Sequence, residues 1–460
     1  MAIVEDVAED SDGTRVSQGD SLVSEDLLST LLALCAKFRL PPDMVPAFMQ
    51  EDQPLHALRA YQNEVLEALR RASPLIRSPA FERLDLDEQG RVVGEMSRLY
   101  GSDPWCSPGI ISEIDQITEG LPRPTLAVHL LQSLRPIFSS TAHPMINPFT
   151  SRALSRPAGG TEAKSDFHDE SAQTFKLPEH WGSYNILGWS CDQLPSSDIE
   201  QHIGLILPPT LVLMDDWESP WRGRGVKVLD RWIDKVSAET LRRMGMDKLL
   251  SDTLIHTLSI HPDQPLSGVL ETALKLINRT TKGRDKVKAE RIEEIMDKAI
   301  IKGWIYAPAG QKGRASVIHI AKQLETLCEE VGSGMVRWLK SIIPHLVDPL
   351  QYTPSAAVVE HYASNLRALL CVMRTCKETG RIPRWRGQII DFICRLWVQV
   401  QERSGLDEAL TPREIQKLSS LIVEVFGELI EQHPAIREKE LPALVNINSG
   451  IFGPLVKAVG

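Results

Sequence analysis

Apolar residues recur along this chain at the three- and four-residue spacings that place them on one face of an α-helix. Leu266, Val269, Leu270, Ala273, Leu274 and Ile277 form one such stripe behind Pro265. Val359, Tyr362, Leu366, Leu369 and Met373 form a second. Thr353 and Pro354 stand ahead of it as the predicted cap and first helical residue. A third, Ile415, Leu418, Ile422, Val425 and Leu429, is opened by Thr411, Pro412 and Glu414, a capping box in sequence form. No series of short alternating segments with Asn-Gly or Asp-Gly turns interrupts this pattern, so the expected class is all-α. One amphipathic pair cannot bury its stripe alone. Stacked pairs can, at roughly 1.5–3 kcal/mol for each large side chain removed from water. The expected architecture is therefore an α-solenoid of HEAT-like helical repeats with a helical N-terminal block.

The pattern also divides the chain. Residues 1–20 are polar and acidic and read as a disordered tail. Residues 21–140 form the N-terminal helical block, with stripes such as Leu55, Leu58, Tyr61, Val65, Leu66 and Leu69. Residues 141–177 mix Ser, Gly, Pro and charges without a period and read as a flexible linker or long loop, either disordered or a docking strand for a partner. Residues 178–460 form the C-terminal HEAT-like α-solenoid.

Within that last block, Leu205 to Ile233 reads as one repeat. An apolar first helix carries Pro208 and Pro209, each lacking the N–H that closes the helical ladder, so a kink is expected there. An acidic turn of Asp215, Asp216 and Glu218 follows. Pro220 then precedes a second helix with Trp221, Gly225, Val228, Leu229 and Trp232 on one face. Gly225 admits a close neighbour, and Asp216 and Arg222 are expected to pair, as turn Asp and helix Arg do in many such repeats. Trp217 falls in the turn, where it serves either as an interface anchor or as a local clamp. A fainter echo, Pro383-Arg384-Trp385-Arg386-Gly387, answers Pro220-Trp221-Arg222-Gly223, and both open apolar helices.

Charge and chemistry narrow the function. The formal net charge of −10 argues against a nucleic-acid groove as the main surface. The basic run Arg279–Lys288 reads as a solvated connection. Seven scattered cysteines sit mostly in helical patterns and read as reduced, partly buried thiols of an intracellular protein. Cys371 and Cys376 lie five apart, turned away from each other on a helix, so no CxxC pair or zinc clip is supported. The start has no basic region leading into an apolar core, and the longest apolar run, Ile203–Met214, is too short and proline-broken to span a bilayer. Gly310-Gln311-Lys312-Gly313-Arg314 lacks a P-loop ending and reads as a solvated turn, and GxSxG, HExxH and paired CxxC motifs are missing. No catalytic, cofactor-binding or metal-binding residue is assigned.

The run PPTLVLMDDWESPWRGRGVKVLDRW, together with the later block YASNLRALLCVMRTCKETGRIPRWRGQIIDFICRLW, resembles the Tel-two-interacting protein two family. The matching positions are Pro208, Pro209, Asp215, Asp216, Trp217, Arg224 and Gly225, with Trp217 standing where the family often has Tyr. This resemblance implies a non-enzymatic helical-repeat cochaperone, the smallest subunit of the Triple-T (TTT) complex. It would join two larger helical-repeat subunits and, with the ninety-kilodalton heat-shock chaperone, support phosphatidylinositol-kinase-like protein kinases in the cytoplasm and nucleus. Neither nucleic acid nor membrane is an expected partner. The candidate partner-binding residues are Asp215, Asp216, Trp217, Trp221, Arg222, Arg224, Arg384, Trp385 and Arg386. Two rivals stand beside this reading: another HEAT-repeat adaptor for transport or for a phosphatase, and a hydrolase using Asp215, Asp216 and Glu218 with a divalent metal.

Overall fold

The computed structural model describes residues 18–41, 55–138, 143–159, 173–260, 266–308, 310–403 and 410–460. The acidic tail up to residue 17, Pro265 and the middle of the 141–177 segment lie outside the described residues. Of the described residues 79% are helical, and among them there is no strand, only an isolated antiparallel bridge between Ile146 and Ala153. The fold is all-α.

The helices divide into two compact units, residues 1–246 and 247–460. The division falls inside the stretch that the sequence pattern treated as one C-terminal block, and the described parts of 141–177 belong to the first unit.

The first unit holds α1 (Gln18–Cys35), α2 (Leu55–Ile76), α3 (Leu86–Ser97), α4 (Pro108–Thr118), α5 (Arg123–Phe138), α6 (Ser183–Gln193), α7 (Ile203–Met214) and α8 (Ser219–Ile233). Alternate helices stack: α3 meets α5 and α5 meets α7, while α6 meets α8. Neighbours in sequence also pack, α5 on α6 and α7 on α8. Each apolar stripe is thereby covered from two sides, as a helical repeat requires.

The second unit follows the same rule. It contains α9 (Met246–Ser259), which starts at the boundary, then α10 (Val269–Thr280), α11 (Asp285–Ile295), α12 (Gln311–Val331), α13 (Leu339–Val347), α14 (Val359–Thr375), α15 (Arg386–Arg403), α16 (Pro412–Gln432), α17 (Glu440–Ile447) and α18 (Ser449–Val459). Helices α12, α14, α16 and α18 form one row, and α13 packs on α15.

Most local expectations are met. Thr411 caps α16 by accepting from the Glu414 backbone N–H, and the Glu414 carboxylate accepts in return from Thr411. Every residue of the stripe from Val359 to Met373 is buried. The predicted start of that helix is corrected: α14 begins at Val359, because a turn closed by Val358 N–H to the Ser355 carbonyl separates it from Thr353 and Pro354. Gln311 opens α12, so the glycine-rich sequence there leads directly into a helix, with Gly310 in a left-handed conformation at φ +84° as its N-cap.

Candidate partner-binding site

The two prolines sit inside α7, and Pro208 and Pro209 leave the carbonyls of Gly204 and Leu205 without their usual helical donors. Gly204 and Leu205 line an open cleft together with both prolines, His143 and His202. The helix is held by its other flank. Thr210 Oγ1 donates to the Ile206 carbonyl at 2.7 Å and accepts from the fully buried Trp232 indole at 3.2 Å, tying α8 to α7. Gly225 completes the contact: a Cβ there would lie 2.7 Å from the backbone nitrogen of Met214, closer than real Cβ atoms come.

Between these helices the acidic turn is organised by a cation from far upstream. Lys176 Nζ lies 2.8 Å from Asp216 and 2.6 Å from Glu218, and Asp216 also accepts from the Glu218 backbone N–H at 2.8 Å. Burial pushes the Asp216 carboxyl above its ordinary range, the Lys176 ammonium opposing this. The expected pairing of Asp216 with Arg222 is corrected accordingly. Arg222 is buried and donates instead to Ser219 Oγ at 3.1 Å; burial lowers its pKa, against the pull of the Asp216 charge. The first acid of the turn, Asp215, lies 3.4 Å from His143 Nε2.

Arg224 has a different set of partners. Its guanidinium stands 4.5 Å from the ring centres of both Tyr184 and Trp221 and donates to Asp103 Oδ1 at 3.1 Å. Tyr184 donates to the other oxygen of Asp103 at 2.7 Å, and Asn185 reaches the same atom at 3.3 Å. Burial alone would lower the Arg224 pKa, but the neighbouring Tyr184 and Asp103 raise it on balance, keeping the cation charged. Trp221 is half-buried and edge-on to both Phe175 and Tyr184.

Trp217 differs from the rest of the turn. The residue is 62% exposed, with Lys176 Nζ 5.4 Å from the ring centre. The turn thus presents one large aromatic surface from a base whose charges are internally paired. Arg384, Trp385 and Arg386 belong to the second unit: Trp385 is half-buried in a 3-10 turn, Arg384 and Arg386 are exposed, and Arg386 pairs with Glu440 at 3.3 Å.

Sequence reasoning missed Asp103, Phe175, Lys176 and Tyr184. Phe175 and Lys176 fell in a stretch without period, yet Phe175 is 1% exposed and stacks on Phe138 at 5.4 Å. The Phe-Lys pair just ahead of Leu177-Pro178 was the available signal, an aromatic in an otherwise polar segment. The carboxylates of the turn face Lys176 and His143, and among the described residues no group of three or more His, Cys, Asp or Glu is placed to hold a metal.

A model of the Tti2 family matches residues 96–356. The matched span begins inside the N-terminal block, takes in the whole α7–turn–α8 region and ends ahead of Arg384. No curated protein matches. Among solved structures, an engineered protein is 12% identical over 97% of this chain and 96% of its own, with a TM-score of 0.31, a likeness too slight to bear on fold or function.

Proposed function

Because the chain belongs to the Tti2 family, the Tel-two-interacting protein two family of the TTT complex, we propose that it is a non-enzymatic scaffold subunit that binds the larger helical-repeat subunits of that complex. In that role it supports maturation of phosphatidylinositol-kinase-like protein kinases together with the ninety-kilodalton heat-shock chaperone, in the cytoplasm and nucleus. The observation that carries the reading is the family match across residues 96–356, which includes the turn bearing Trp217. The geometry of that turn agrees with a binding role. An exposed Trp on a base fixed by buried ion pairs loses little conformational freedom on docking, the property that makes such residues interface anchors.

Crosslinking of the complex captured on this chain tests the assembly. Crosslinks to two larger helical-repeat proteins are expected, and a chain recovered without such a partner overturns the reading. Trp217→Ala tests the surface. Thermal unfolding should stay unchanged while affinity for the larger subunits falls about 30-fold, the roughly 2 kcal/mol of a hot-spot residue. Unchanged affinity removes Trp217 from the interface.

A further inference from the structure

Phe149 is 95% exposed, more than any other large apolar residue among the described residues. It stands at the tip of the loop closed by the Ile146–Ala153 bridge, and hydrogen bonds hold that loop in one geometry. Asn147 Oδ1 accepts from the backbone N–H groups of Phe149 at 2.9 Å and Thr150 at 3.1 Å. The Asn147 carbonyl accepts from the Ser151 N–H, and the Asn147 N–H donates to the Arg152 carbonyl, both at 2.9 Å. Ser151 is kept at φ +52°, a left-handed conformation that a residue with a Cβ holds only where its surroundings fix it.

The same loop is seated along α7. A Cβ at Gly204, in the first turn of that helix, would lie 2.8 Å from Ser151 Oγ, and His143 meets Asp215, its C-cap, at 3.4 Å. Pro148 lies between these two contacts in sequence and lines the cleft that Pro208 and Pro209 also line. The far side of the loop is fixed where the Ala153 N–H donates to the Met244 carbonyl at 2.9 Å. From Gly204 to Met214 the helix rises about 15 Å. Phe149 is two residues from the contact at its start, and Trp217 is three residues past its end. One helix therefore carries two exposed aromatic rings, one held near each terminus.

We propose that Phe149 and Trp217 are two anchors of one docking surface whose occupant is a helical-repeat partner, each ring entering an apolar groove between two of the partner's helices. This rests on the scaffold reading above and adds a second anchor to it. Residues 148–151 carry no charge, so the loop offers a ring and little else, and its complement is apolar. Grooves between packed helices recur about every 10 Å, so stacked helices present a second socket within the length of α7. An interface of about 800 Å² on each side spans both rings. A loop already fixed by its own hydrogen bonds loses little freedom when the ring is buried.

The test uses the full chain and the two larger helical-repeat subunits, co-expressed as a pair and titrated with this chain. Phe149→Ser should weaken binding about 30-fold with thermal unfolding unchanged, and adding Trp217→Ala should weaken it further than either change alone. A photo-crosslinking phenylalanine analogue at position 149 should join residues that line a groove between helices of a larger subunit. Unchanged affinity of Phe149→Ser, with the wild-type complex intact, overturns this inference and leaves the scaffold reading standing. A crosslink from position 149 to a second copy of this chain also overturns it, as does sedimentation with phosphatidylcholine–phosphatidylserine vesicles that Phe149→Ser abolishes. A wild-type chain that binds neither larger subunit overturns both.

Discussion

Each unit has its own ion pairs, and they lie in different settings. In the first unit, Lys176 reaches Asp216 from 40 residues away, and Arg224 reaches Asp103 across 121 residues. The Asp216 side chain is wholly buried, and Arg224 and Asp103 retain only 16% and 13% exposure. In the second unit the ion pairs that join neighbouring helices are more exposed: Arg374 on α14 meets Glu424 and the more buried Glu428 on α16, and Lys417 on α16 meets Glu360 on α14. Water screens these, whereas the first unit's pairs sit where an unmatched charge is costly. The difference shows what each arrangement does. Buried pairs hold irregular segments in one geometry, and exposed pairs only decorate a contact that apolar stripes already define.

Removing one partner is the sharpest way to break this contrast. Arg224→Ala leaves Asp103 without its cation and strips the stacking from Tyr184 and Trp221, so chemical denaturation should report a loss of about 3–5 kcal/mol. A loss below 1 kcal/mol would place the two units on the same footing. The next effect tests the second unit's own interior. Burial, with Arg314 nearby, pushes the His361 pKa down from 6.5 to about 4. The unfolded chain takes up that proton below pH 6.5 and the folded chain does not. Stability should therefore fall as pH drops from 6.5 to 4, by up to about 3 kcal/mol, and stay level with respect to this group below 4. His361→Gln should flatten that slope in pH-dependent unfolding curves. The smallest effect belongs to the exposed pairs: Arg374→Ala should cost less than about 1 kcal/mol and lose even that in high salt.

The turn also shows how far local reading reaches. Pro208, Pro209, Gly225 and Trp232 were legible because each acts within its own helix or on the next one. Arg222 was visible but assigned the wrong partner, since an offset of six residues describes spacing and not which cation wins a buried carboxylate. Lys176 wins because it meets Asp216 and Glu218 together, and one ammonium between two carboxylates offsets more desolvation than either pair alone.

Apolar period, capping residues and the proline pair determined by themselves that this chain forms stacked helices, because these signals act over a few residues and depend on backbone chemistry alone. Tertiary structure decided which charges meet and which tryptophan is left to solvent. Those outcomes depend on distances between segments tens of residues apart, and the free energy of a charge or a thiol is set by burial and neighbours that no local pattern encodes.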